Sequence, residues 1–224
     1  MQPVLKRSLF LIGLAGLGAL LPACKIVATA QKNATTAADG TTSNDAAFDP
    51  DKMVSGLWDA KVIPYLTAKA GAFAEVRDLA RRSPDEAGAK FGYRAKEGSA
   101  PWTVVAKIEG RIVAVDTASR AATIGVDIDK DGKADLIVQI GPAMRGTALR
   151  DSLDFVSFNN FTNQIDFARF GKAFNQYVNR TVLETLPRDG LNGRPVVILG
   201  AFPLEKSDEP PLVTPAQITL GPAS

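Results

Sequence analysis

Histidine is absent from the 224-residue sequence, and cysteine occurs once, as Cys24. The first absence excludes a Ser-His-Asp triad, a Cys-His pair and any histidine-ligated zinc or haem site. The second excludes an intrachain disulfide, even in an oxidising compartment. No glycine-rich phosphate loop follows any β-prone run, so the usual mark of a nucleotide-binding βαβ unit is missing. The uncharged apolar run from Leu9 to Leu21 is shorter than the about 20 residues an ordinary spanning helix needs. Neither sign of charge dominates, with 26 Lys and Arg against 24 Asp and Glu. Hence there is no global basic footprint, and no nucleic-acid partner is expected. Carboxylates, lysines, arginines, hydroxyls and amides remain for chemistry, and no catalytic residue is nominated from them.

The one cysteine is placed informatively. Lys6 and Arg7 form a basic flank, the apolar run follows, and Leu21-Pro22-Ala23-Cys24 closes it. This is the layout of a secretory signal with small residues before the cleavage point. With a cysteine at that point it resembles the lipobox of bacterial lipoproteins. The resemblance implies a signal peptide over residues 1–23, acylation of Cys24 and a membrane-lipid partner in the cell envelope. Loss of Lys6 and Arg7 with the leader would leave the two signs of charge equal. Residues 24–47 are rich in Ala, Thr, Asn and Asp. Such a stretch buries too little apolar surface to offset its ordering entropy and reads as a tether.

Residues 48–97 read as a small helical domain. Asp49-Pro50 is a helix start, with Asp49 as cap. Met53, Leu57 and Trp58 recur at helical spacing, and Pro64 predicts a kink or break after Ile63. Leu66, Ala70, Phe73, Val76, Leu79 and Ala80 predict one second helix, ending near Arg81 and Arg82. Ser83-Pro84 starts a third, which Gly92 or the segment after it ends.

From about residue 98 the period changes. Trp102 to Ile108 and Arg111 to Val115 are β-prone runs divided by Glu109-Gly110. Ala122 to Ile128 and Ala134 to Ile140 pair as a hairpin, and Asp154 to Phe158 is one more short candidate. Thr162 or Asn163 caps a helix to about Leu186, with Ile165, Phe167, Phe170, Phe174, Tyr177, Val178 and Val182 on its apolar side. Pro195 to Leu199 and a weaker run at Ile218 to Leu220 complete the set. The fold class is therefore α+β: a small helical domain, then over residues 98–224 a mostly antiparallel barrel of the OB type with one long helix plugging or flanking it.

The sharpest chemical pattern is Asp127, Asp129, Asp131, Gly132, Lys133 and Asp135. Alternate aspartates with the carbonyl of Lys133 match the first half of an EF-hand loop, and calcium needs six to eight such oxygens. Val138 stands where that loop places its bidentate glutamate. Two readings stay open: a stabilising calcium site in a hairpin, or a soluble Asp-Gly turn that binds nothing. No cofactor is required by either.

Arg145, Arg150, Asn160, Asn163 and Gln164 are the candidate ligand contacts. They lie in a stretch where arginines, amides and phenylalanines alternate. Such groups suit a hydroxyl-rich ligand with one apolar face, such as a small carbohydrate. Equally, Arg150 could pair with Asp151 or Asp154 and Asn163 could cap the helix, leaving nothing for a ligand.

The chain from Phe48 onward resembles the predicted periplasmic lipoproteins of domain-of-unknown-function family 2291. The matching pieces are Cys24, Trp58 with Pro64-Tyr65, residues 107–113, Gln139-Ile140-Gly141-Pro142, Arg145-Gly146-Thr147-Ala148-Leu149-Arg150-Asp151 and residues 158–164. The resemblance implies a helical part plus an OB-like α/β domain, and an accessory role beside sugar ABC transporters. It implies no enzymatic activity. The leading expectation is a lipid-anchored accessory or binding protein whose partner is a transporter component or a small carbohydrate. A structural envelope protein acting through protein contacts alone is the alternative. A carboxylate-based glycan-acting enzyme is a third, and needs two carboxyls about 5 to 9 Å apart across a cleft.

Overall fold

A computed structural model of the chain describes residues 48–96, 100–205 and 209–222. Cys24, the leader and the tether lie outside the described residues. Helix α1 (Pro50–Leu57) starts as expected, with the Asp49 carboxylate accepting from the Lys52 N–H at 3.1 Å. The break expected at Pro64 does not occur. A π-helical segment, Trp58–Val62, leads directly into α2 (Ile63–Lys69). There the Ile63 N–H bonds the Trp58 carbonyl, five residues back. That wider turn makes room for a proline, which cannot donate and would crowd the carbonyl four residues back.

The single helix expected from Leu66 to Ala80 is divided. Ala70 turns extended, β1 (Gly71–Ala72) follows, and α3 (Phe73–Arg82) begins only then. Helix α4 (Pro84–Phe91) starts at the expected proline and stops at Gly92, where β2 (Gly92–Tyr93) begins. The next strand, β3 (Thr103–Asp116), runs unbroken through Glu109-Gly110, where a division was expected. A Cβ at Gly110 would meet the Asp127 carbonyl oxygen, so the glycine marks a close strand approach rather than a turn.

The expected hairpin forms from β4 (Thr123–Asp127) and β5 (Leu136–Gln139). A short α5 (Ala148–Asp151) follows. No strand forms over Asp154 to Phe158; Phe158–Asn160 is a 3₁₀ turn. Ser157 and Asn160 exchange side-chain and backbone hydrogen bonds there, and this local closure competes with pairing in a sheet. Asn163 caps the long helix α6 (Gln164–Val178), which continues as a π-helical segment, Asn179–Leu183, and stops short of Leu186. Strands β6 (Pro195–Pro203) and β7 (Leu212–Leu220) both extend beyond the β-prone runs in the sequence.

Five strands close into a barrel in the order β3-β4-β5-β7-β6, with β6 returning to β3. Only β5 and β7 among them run parallel. This is the connectivity of an OB-type barrel. β1 and β2 pair with the N-terminal half of β3, the part that precedes its pairing with β4. A strand edge that would otherwise stay open is thereby covered.

Alternation along the strands divides the apolar residues between two cores. The barrel interior holds Ile108, Ile124, Val138 and Ile198, and Phe73, Val76 and Phe91 from α3 and α4 join it. The outward residues Val105, Leu199, Ala201 and Ala216 pack instead with Trp58, Leu66, Leu149, Phe170 and Phe174. The long helix therefore flanks the barrel. The described residues form one compact unit, and no described helix is long and apolar enough to cross a membrane.

Candidate functional site

The acidic hairpin is organised around Asp127. Its side chain accepts from the Lys130 N–H at 2.6 Å and the Gly132 N–H at 2.9 Å. Lys130 (φ 69°) and Gly132 (φ 85°) take left-handed conformations that aim these amides inward. Burial raises the Asp127 pKa, but the backbone N–H bonds outweigh it and hold the carboxyl below its usual value. Asp129 and Asp131 each accept from a backbone N–H two residues on. Asp135 is engaged elsewhere: it accepts from the Ile128 N–H at 2.8 Å and pairs with Arg77 of α3 at 2.5 Å.

One carboxylate oxygen from each of Asp127, Asp129 and Asp135 falls within 4.8 Å of the others. These three could hold a metal ion. The Asp131 carboxylate is outside that group, and one converging oxygen from each of three residues is fewer than the six to eight that calcium takes.

Arg150 proves to be a structural residue. It donates to Asp151 through Nε at 2.8 Å, with Nη2 in an ion pair 2.6 Å from the same oxygen, to the Thr147 hydroxyl at 3.0 Å and to the Phe167 carbonyl at 3.3 Å. Its guanidinium stacks on the Phe167 ring, 3.9 Å from the centroid. Gly171 leaves space for it, since a Cβ there would lie 2.7 Å from Nη1. Asn160 and Asn163 are likewise committed, the first to Ser157 and the second to Asp166. Arg145 is fixed by its backbone, which exchanges hydrogen bonds with the side chain of Gln139. Its guanidinium and the Gln164 amide are exposed and bond no other described residue. Three of the five candidate contacts thus serve the fold, and two stay available.

Phe167 leads to a surface ledge. Phe158 and Phe161 pack on it at 5.7 and 5.3 Å between centroids, and Phe48 meets Phe161 edge-on at 5.8 Å. Phe161 continues inward to Phe170 and Phe174. At the outer end Phe158 is 43% exposed and Ile165 64%. Helical periodicity places Ile165 on the apolar side of α6, but its position in the first turn lies past the edge of the core.

A second surface is a groove of about 200 Å³ between α2 and the outer face of the sheet. Lys107, Val197, Leu199, Gln217 and Thr219 floor it, and Thr67 and Ala70 wall it. Val197 is 41% exposed on β6, a strand paired on both sides. Period-2 reading of Pro195 to Leu199 could have found this outward valine; the groove depends on α2 and was not legible. Tyr65, pushed up to about 12 by burial and then by the charge of Asp154, offers no acid–base group near neutral pH.

The crystal structure of an OB-fold protein from Thermotoga maritima superposes on the chain with a TM-score of 0.63. The match covers 78% of this chain and 99% of that one at 19% identity, and so establishes the fold alone. Among curated proteins none matches. The family model described as predicted periplasmic lipoprotein (DUF2291) matches residues 14–219, a span that includes Cys24 and all but the last residue of the barrel strands. The chain belongs to this family of periplasmic lipoproteins.

Proposed function

We propose that the protein is a lipid-anchored, non-catalytic accessory module, acylated at Cys24, that presents its barrel to a protein partner in the cell envelope. The observation that carries the reading is the groove beside Val197. It offers an exposed apolar residue on a rigid, doubly paired strand, rimmed by Lys107, Gln217 and Thr219. At about 200 Å³ it is smaller than the roughly 300–1,000 Å³ of ligand pockets, and suits an inserted side chain of a partner. No carboxylate lines it, which weighs against glycan hydrolysis there. The resemblance set out above makes a component of a sugar ABC transporter the partner to test first. Arg145 and Gln164 keep a small carbohydrate as a second ligand class. Calcium at Asp127, Asp129 and Asp135 would act as a stabiliser away from this surface.

The test is affinity capture of the acylated protein from its own membranes, with wild type and Val197→Glu in parallel. A transporter component recovered with wild type and lost with the variant is the expected result. Equal recovery with both moves the contact off the groove. Recovery of no protein, together with heat on titration of a sugar, replaces the reading with solute binding.

A further inference from the structure

We propose that the aromatic ledge rests on the bilayer that carries the lipid, so that the body lies against the membrane in one orientation. The proposal rests on the lipid-anchor reading above and goes beyond it. Ile165 and Phe158 are among the most exposed large apolar side chains of the described residues, Ile165 in the first turn of α6 and Phe158 in the 3₁₀ turn just before it. Phe158 is backed by rings packed through Phe167 and Phe161 to Phe170, so that part of the ledge loses little freedom on docking.

The occupant follows from where the chain comes in. Phe48 is itself part of the ledge, on Phe161, and stands 24 residues after Cys24. Even fully extended, that connection reaches no more than about 85 Å. An acyl group at Cys24 would therefore confine the body to that distance of the bilayer, with the chain entering at the ledge end. Phenylalanine and isoleucine suit the headgroup–acyl boundary, and the exposed amides of Asn159 and Gln164 can hydrogen-bond headgroups around them. Asp166, the carboxylate in the first turn of α6, is already engaged by Asn163 and Arg169 and adds little repulsion toward anionic lipid. Two partly exposed side chains are too few to hold a soluble protein on a membrane. With acyl chains supplying attachment, they need only orient the body.

The test uses the full acylated protein carrying Asn159→Cys. Acylation blocks the native thiol, so a fluorophore labels only the introduced one. The protein is reconstituted in vesicles of phosphatidylethanolamine and phosphatidylglycerol with brominated acyl chains. Fluorescence is expected to fall roughly twofold by bromine quenching, and the fall to vanish when Phe158→Ser and Ile165→Ser are added, with flotation unchanged and the variant still melting cooperatively above the assay temperature. A label that floats with the vesicles yet stays fully open to aqueous iodide overturns the proposal and leaves the anchor standing. Shielding that appears only in native membranes, with their proteins, overturns it in favour of a protein partner at the ledge. Failure to float overturns the anchor, and the proposal with it.

Discussion

Arg150 holds Phe167 twice, by stacking 3.9 Å from the ring centroid and by donating to its carbonyl at 3.3 Å. Arg150, within α5, thereby fixes the first turn of α6, and with it the Phe167 ring of the ledge. The fork of a guanidinium is needed, because Asp151 and Thr147 are engaged at the same time. Arg150→Lys keeps the charge but not the geometry and is expected to cost about 1–2 kcal/mol in urea unfolding. Arg150→Ala also removes the cation beside Asp151, which keeps its bond from the Thr147 hydroxyl, and should cost about 2 kcal/mol. Equal stability of wild type and the lysine variant would show that charge alone matters here.

Asp127 makes stability depend on acid. Its folded pKa is lowered by backbone N–H bonds, so its contribution is present above the unfolded value of about 3.9 and is lost as pH falls through the folded value. Melting curves from neutral to strongly acid pH should show this loss in wild type and a flatter profile in Asp127→Asn. The variant should already be less stable at neutral pH, where it lacks the charge that the Lys130 and Gly132 amides face.

Chelation tests the same hairpin differently. Asp127 and Asp135 are satisfied by amides and by Arg77 without a metal. Removing divalent ions is therefore expected to leave the melting temperature unchanged. A fall on chelation, restored by calcium and abolished by Asp129→Ala, would make calcium part of the fold.

Gly110 is expected to tolerate no side chain. Its missing Cβ lies against the Asp127 carbonyl, which β3 and β4 cannot move apart without opening the barrel. Gly110→Ala should cost about 1–3 kcal/mol by overpacking, read from urea midpoints at constant slope.

The sequence pattern carried further in some places than in others. Helix starts were legible, because the Asp49 and Asn163 caps and the proline of Ser83-Pro84 act within one turn of where they stand. The β4–β5 hairpin was legible from alternation about the Asp-Gly turn. At Pro64 the helix continues without a break, its cost absorbed by a π-helical turn whose Trp58 and Val62 are buried in the second core. Glu109-Gly110 misled, because a glycine demanded by strand approach reads like one demanded by a turn. At the candidate contacts two readings stayed open in the sequence, and the internal one is formed at Arg150 with Asp151 and at the Asn163 cap. Partners such as Phe167, 17 residues away in sequence, depend on tertiary packing that local spacing does not encode.

In the proposed function, attachment by lipid at Cys24 would make the barrel a membrane-held module. Mass spectrometry of the mature protein isolated from its own membranes tests this most directly. The account predicts a chain beginning at Cys24 with the mass of acyl groups added to it. An unmodified Cys24 still joined to Ala23 would contradict it.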